Sequence, residues 1–364
     1  MTRAWRPGDP PGRRQWFAGP RLTLEAGGSL PSYSLAFETW GRLNSDGSNA
    51  ILVEHALTGD SHVAGAAGPG HPSVGWWDGL VGPGKAFDTD SLFVVVPNVL
   101  GGCQGSTGPS SLDPDGRPWG SRFPAVTVRD QVVAEAALAD FLGIDRWAAV
   151  AGGSMGGMRA LEWAISRPDR VASALVLAST ARASAEQIAW AAPQLHAIRS
   201  DPGWHGGDYY GSGESPRLGL GIARRIAHVT YRSETELATR FGAEPQGAED
   251  PLRGGRFAVE SYLDHHAAKL ADRFDAGSYV VLTESMNTHD VGRDRGGVAA
   301  ALGRITARTT VAGVDSDRLY PLYQSRQLAA GLGAEAAVIS SPHGHDAFLI
   351  ETDQIAGLVK SLLG

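Results

Sequence analysis

The stretch RWAAVAGGSMGGMRALEWAIS, residues 146–166, decides how this chain is read. It opens as a short apolar run, passes through GGSMG at residues 152–156, and continues at helical spacing until Pro168 stops it. Strand, tight turn and helix are the surroundings that a G-x-S-x-G nucleophile turn requires: the glycines tolerate the crowding that lifts the serine above the sheet edge. In a chain with 48 glycines the pentapeptide alone is weak, and the bland reading of Ser154 is a small residue in a turn. The flanking strand and helix favour a nucleophile.

The same rhythm extends on both sides. Buried strands are predicted from AILVEHAL (50–57), SLFVVVPNVL (91–100), SALVLAS (173–179) and TTVAGV (309–314), with a last strand in EAAVISS before the final helix. TVRDQVVAEAALADFLGI (127–144) carries a helical apolar face. Strands alternating with helices predict a mainly parallel α/β sheet. PRLTLEAGG (20–28) and SYSLAFETWG (32–41), separated by a glycine-rich turn, predict an antiparallel hairpin at its edge, which makes the sheet mixed. Between residues 183 and 299 the alternation stops and the chain turns polar and helix-prone, as in LGIARRIAHVTYRSETELATRF (220–241). The organisation expected is a core of residues 18–182 and 300–364, a helical lid inserted at 183–299, and a flexible, Pro/Gly/Arg-rich segment at 1–17.

Composition narrows the function classes. Hydrophobic residues at 42% and charged residues at 20% suit a folded globular chain, and a net charge of −7 without a basic run offers nucleic acid and anionic lipid little to bind. No apolar run is long enough to cross a membrane, and one cysteine, Cys103, excludes internal disulfides and multi-cysteine zinc sites, so a cytoplasmic protein is expected. HGHD at 343–346 has no further His or Cys cluster at ligand spacing, and no metal is expected. Cys103, with no base beside it in sequence, reads as packing. GGCQGSTG (101–108) lacks the lysine of a phosphate loop.

A serine hydroxyl is a weak nucleophile, so Ser154 needs an acid and a base further on, in the order Ser, Asp or Glu, His. Asp315 and Asp317 follow the strand near 309–314, and His343 and His345 follow the last strand. Loops after parallel strands open on one edge, so these residues can meet Ser154 there. HALTGDSHVAG, from His55, follows the strand near 50, where an α/β-hydrolase places half of its oxyanion hole; Leu57 is the candidate N–H donor, with Met155 at the helix start as the other. The fold expected is therefore α/β, an α/β-hydrolase with an inserted helical lid, a scaffold that serves esterases, peptidases and acyltransferases alike.

Longer segments narrow this. HALTGDSHVAG, GWWDGLVGPGKAFDTD, VPNVLGGCQGSTGPSS, GGSMGGMRALEW, ARRIAHVTYRS, DSDRLYPLYQSRQLA and GHDAFLIET, spread from about residue 35 to the C-terminus, resemble the homoserine O-acetyltransferase family of methionine biosynthesis. The resemblance implies Ser154 as nucleophile, His345 as base and Asp317 as orienting acid, so it selects among the paired candidates. It further implies that Arg224 holds the carboxylate and Asp346 the ammonium of the amino acid, that acetyl-CoA is a co-substrate with no other cofactor, and that the protein is a homodimer. The reaction implied is acetyl transfer from acetyl-CoA to L-homoserine through an acyl-serine. Succinyl-CoA as donor, L-serine as acceptor and plain ester hydrolysis stay open.

Overall fold

The computed structural model describes residues 4–364. Among these, the chain runs β1 (Gln15–Gly19), β2 (Leu22–Thr23), β3 (Ser29–Leu30), β4 (Tyr33–Trp40), β5 (Ala50–Glu54), β6 (Val81–Gly82), β7 (Phe87–Asp88), β8 (Phe93–Pro97), α1 (Val128–Phe141), β9 (Ala149–Gly153), α2 (Met155–Ser166) and β10 (Ser173–Leu177). Helices follow: α3 (Ala185–Arg199), α4 (Arg217–Tyr231), α5 (Glu234–Phe241), α6 (Ala258–Ala271), α7 (Ala276–Asn287) and α8 (Val298–Leu302). The chain closes with β11 (Arg308–Val314), α9 (Leu322–Gly331), β12 (Ala337–Ile339), α10 (Ala347–Ile350) and α11 (Thr352–Leu363).

The main sheet has the order β1-β4-β8-β5-β9-β10-β11-β12. It is parallel from β8 onward, with β4 antiparallel to both β8 and β1. The central strands β5, β9 and β10 are buried at every residue, which is why they read as unbroken apolar runs. One face packs Leu161, Trp163 and Trp147 under α1 and α2, and the other packs Trp77, Phe348 and Ile355 under α11. α1 starts at a capping box in which Thr127 and Asp130 satisfy each other's backbone N–H, so the polar pair fixes where the helix begins.

Two expectations need correcting. The antiparallel partner of β4 is β1, with Gln15 opposite Phe37 and Gly19 opposite Tyr33, whereas residues 22–23 pair only with 29–30. Gly19 lies against the Tyr33 ring, where a Cβ would come within 2.2 Å of it, so its lack of a side chain is what lets β1 close on β4. Nor are residues 4–17 a loose tail. The Trp5 N–H donates to the Cys103 carbonyl at 2.8 Å, buried Arg14 donates to the Gly70 carbonyl at 3.0 Å, and β1 is the sheet edge. The rest of the segment expected to be flexible, residues 1–3, lies outside the described residues.

The helices from α3 to α8 run between β10 and β11, and α4 packs against both α3 and α6. A separate apolar cluster joins Leu57 and Met155 of the core to Leu195, Leu220 and Tyr279 of these helices. The helical insertion thus covers the turn that carries Ser154.

Candidate active site

Ser154 stands between β9 and α2 with φ 56° and ψ −124°. This is a left-handed backbone that costs a non-glycine residue roughly 1–3 kcal/mol and persists only when its surroundings enforce it. Here they do. A Cβ on Gly152 would meet the Gly156 backbone at 2.4 Å, and one on Gly156 would meet the Glu54 carbonyl at 2.1 Å, so the two glycines let strand, turn and helix close on one another. Met155 is the first residue of α2, where a backbone N–H has no partner within its own helix. Leu57, in the loop after β5, is buried against it in the same cluster.

Beneath this turn, Arg159 of α2 is wholly buried between Glu54 at 2.5 Å and Glu135 at 2.8 Å, and it donates to the His55 carbonyl at 2.6 Å. The guanidinium ties α2 to the start of the Leu57 loop. Burial pushes the Glu54 carboxyl well above its ordinary range, despite Arg159. His55 is held neutral, its pKa lowered to about 3 by burial and by Arg159, and its Nε2 accepts the Val99 N–H at 3.1 Å. It is therefore a bracing acceptor.

On the same edge, His345 Nδ1 lies 2.7 Å from Asp317 Oδ2, while Asp317 Oδ1 accepts the backbone N–H groups of Leu319 and Tyr320 at 2.8 and 2.9 Å. Both carboxylate oxygens are thus used and the imidazole orientation is set. Burial alone would lower the His345 pKa, but the charge and hydrogen bond of Asp317 carry it above the ordinary value. Tyr320 lies between this pair and Ser154: its ring stacks on His345 with centroids 5.1 Å apart, and the Ser154 side chain is among the groups that act on its hydroxyl. Asp315 is engaged elsewhere, accepting from Ser340 and Ser341, and His343 Nδ1 faces Glu236 at 3.5 Å.

Arg224, on α4, reaches into the site. Its guanidinium lies 5.4 Å over the Tyr231 ring and 3.4 Å from the Thr58 hydroxyl, and its buried Nε has no hydrogen-bond partner among the described residues. Tyr231 is in turn 5.9 Å from His345. Asp346 is paired with Arg232 at 3.1 Å, and burial nevertheless pushes its carboxyl upward. Reading the sequence missed Tyr320, Tyr231 and Arg232. The first two stand at helix and loop ends where an aromatic reads as core; the available signal was that Tyr320 comes three residues after DSD and Tyr231 within two turns of ARR on the same helix.

The structure also brings together three residues that sequence spacing kept apart. Buried Glu38 faces His71 Nε2 at 3.2 Å and His62 Nδ1 at 3.6 Å, with the Ser61 hydroxyl donating to it at 2.7 Å. These donors lie within 4.8 Å of one another, the size of a metal site. Yet the two rings stack 3.9 Å apart and within 9° of parallel, so their in-plane lone pairs do not converge on one point. The arrangement fits two ring N–H groups facing one carboxylate better than an ion. Burial would raise the Glu38 carboxyl, but the two imidazoles facing it and the Ser61 hydroxyl bring it down to about 2, and Glu38 raises His62 in return. Cys103 is buried, and burial pushes its thiol far above the range of a reactive cysteine.

Comparison with known proteins agrees with this fold. A family model of the alpha/beta hydrolase fold matches residues 49–352. The chain is 69% identical to a homoserine O-acetyltransferase of Thermobifida fusca over 100% of its own length and 97% of that protein's. It is 55% identical to one of Leifsonia xyli over 99% and 91%. Among solved structures, a homoserine O-acetyltransferase of Bacillus anthracis superimposes with a TM-score of 0.87 at 28% identity, covering 96% of this chain and 97% of the other. Esterase E22 superimposes at 0.88 with 27% identity, covering 96% and 99%. With its relatives matched nearly end to end and its fold matched twice over, the chain belongs to the homoserine O-acetyltransferase family within the α/β hydrolases.

Proposed function

We propose that this chain transfers an acetyl group from acetyl-CoA to the side-chain hydroxyl of L-homoserine through an acetyl-Ser154 intermediate, yielding O-acetyl-L-homoserine and CoA. The observation that carries the reading is the 2.7 Å bond from His345 to Asp317, set beside Ser154 in its strained turn. His345 takes the Ser154 proton as Oγ attacks the thioester carbonyl carbon. The N–H groups of Met155 and Leu57 hold the resulting oxyanion. Collapse breaks the carbon–sulfur bond, and the thiolate leaves with the proton from His345. The homoserine hydroxyl then gives its proton to His345, attacks the acetyl carbonyl, and Ser154 departs and is reprotonated.

An amino acid acceptor needs one fixed charge of each sign. Arg224, with its unpartnered Nε, suits the carboxylate, and Asp346 suits the ammonium, which would hold that carboxyl ionised against the burial that pushes it upward. The helical insertion, taken as residues 183–299, acts as the lid that keeps water from the acyl-enzyme. Leu218, Ile222, Leu252 and Phe257 are exposed on it, which supports a homodimer formed through the insertion. No described helix is long and apolar enough to cross a membrane. The likeness to homoserine O-acetyltransferases supports a cytoplasmic biosynthetic enzyme.

A hydrolytic reading is favoured by one finding, the close superposition on an esterase. One experiment separates the two: thiol release from acetyl-CoA and from succinyl-CoA, each with L-homoserine, L-serine or no acceptor. Release from acetyl-CoA that requires L-homoserine supports the proposal. Equal release without an acceptor makes the chain a hydrolase, and preference for the other donor or acceptor reassigns the substrate.

A further inference from the structure

The loop that carries His345 is fastened to the end of α4. A Cβ on Gly344 would come within 2.7 Å of both the Tyr231 carbonyl oxygen and the Ser233 nitrogen, and the Ser233 hydroxyl donates to the Pro342 carbonyl. A side chain at residue 344 would force the two segments apart. Within this junction Arg232, the residue that ends α4, lies between two carboxylates. Its Nη2 is 3.1 Å from Asp346 Oδ2, and its Nη1 donates to both oxygens of Glu236 at 3.1 and 3.2 Å.

The two carboxylates are not equally served. Glu236 also accepts from Arg240 at 2.9 Å and faces His343 Nδ1 at 3.5 Å. Asp346 has Arg232 alone as its ion-pair partner among the described residues, and burial works against its charge. Three more charges act on it: His345 beside it and Arg224 on α4 favour ionisation, and Glu236 on α5 opposes it. Tyr231 of α4 and Tyr262 of α6 also feel its charge. A carboxylate can attract an ammonium only while ionised, and a fixed cation beside it keeps it so before any ligand arrives.

Resting on the reading that Asp346 holds the ammonium of an amino acid acceptor, we propose that Arg232 is a positioning residue for that acceptor, keeping Asp346 charged and in place from the end of α4, while Glu236 draws on the same guanidinium and limits what Asp346 receives. Arg232 itself touches no substrate in this assignment. Its two partners give the idea a signature. Removing the Arg232 charge lets the Asp346 carboxyl take up a proton at higher pH, whereas removing the Glu236 charge lets it stay ionised to lower pH. A junction that served only to hold the loop would lose activity in the same sense from either change.

In a reaction that passes through an acyl-enzyme, kcat/KM for the donor reports the first half and kcat/KM for the acceptor the second. Both are measured against pH, as thiol release from acetyl-CoA with L-homoserine, or with L-serine if that is the acceptor used, for the wild type, Arg232→Gln, Arg232→Lys and Glu236→Gln. Circular dichroism checks that each variant folds. In Arg232→Gln, kcat/KM for the acceptor should fall about tenfold at neutral pH and its acid limb should move to higher pH; Arg232→Lys should recover most of the loss. In Glu236→Gln the same limb should move to lower pH. Across the set kcat/KM for acetyl-CoA should stay within about threefold. Limbs that do not move, limbs that move the same way in Arg232→Gln and Glu236→Gln, or a loss shared equally by donor and acceptor would overturn the assignment. Should Arg232→Gln not fold, Glu236→Gln decides, since an unmoved or raised limb there overturns it as well. If the wild type releases thiol without needing an amino acid, the transferase reading falls and this assignment with it; if release needs the amino acid and only the opposed shifts are missing, this assignment falls alone.

Discussion

Two of the carboxylate–imidazole arrangements among the described residues have both partners buried, and they differ in what they leave free. Asp317 serves one histidine: one of its oxygens is spent on backbone N–H groups, the other on His345 Nδ1, and His345 Nε2 makes no hydrogen bond to another described residue. Glu38 serves two histidines at once and takes a serine hydroxyl as well, with the rings stacked against each other. Both carboxylates are buried, and both raise the pKa of a histidine beside them. The difference is in what is left over. A ring oriented through one nitrogen keeps the other for chemistry, whereas two rings clamped on one carboxylate tie together β4, the segment after the Leu57 loop and the chain facing Gly12. Burial and a raised pKa therefore do not by themselves mark a catalytic base.

The sharpest way to test that contrast is at the nucleophile. Ser154→Ala should lower thiol release by roughly 10⁴-fold or more with the fold intact, and a smaller loss would mean that the chemistry does not pass through an acyl-serine. Asp317→Asn should cost about 10³- to 10⁴-fold in kcat. Its pH profile carries more information. His345 must be neutral to act as base and its pKa is raised, so wild-type kcat/KM should fall as pH drops through a value above 6.5, and removing the Asp317 charge should move that limb to lower pH. An unmoved limb would show that Asp317 is not what raises His345.

Next in size, Arg224→Lys should raise the KM for L-homoserine by about 10- to 100-fold and leave that for acetyl-CoA nearly unchanged, since a planar fork is replaced by a point charge. The smallest effect on activity belongs to Glu38→Gln. Assayed below its melting point, it should retain transfer within about threefold, yet lose about 2–3 kcal/mol of stability in denaturant titration. Glu38 has a folded pKa near 2 against an ordinary 4.5, so its contribution is complete above pH 4.5 and is lost as pH falls toward 2; the variant should be less acid-sensitive over that window. A folded Glu38→Gln protein with abolished kcat would break the comparison by making the second cluster part of catalysis.

The central parallel strands β5, β9 and β10 were legible because each is buried on both faces and so is apolar without interruption, and the turn at Ser154 was legible because a Cβ on Gly152 or Gly156 would come within 2.5 Å of backbone. The edge was not. β1 buries only Phe17 and Gly19 of its five residues, too little pattern to tell from the polar segment before it. Glu38, His62 and His71 are 24 and 9 residues apart and meet only because β4 and the loop after β5 converge, which no local spacing encodes. Arg273, in LADRF, reads as an ordinary surface charge at a helix end; only the fold places it beside Asp60 and Arg224.

The pinned segment from Ala4 to Arg14 has a practical side. Ala4, Trp5 and Arg6 border the cavity of about 890 Å³ where the sheet core meets the helical insertion, so trimming the chain back to β1 would remove one of its walls. The other end of the chain is better placed for such handling. Leu362 and Leu363 lie beside Ala148, Ser173 and Arg308, at the starts of the central strands and thus across the whole depth of the sheet from Ser154. A protein immobilised or labelled through its final helix would keep the Ser154 edge of the sheet clear.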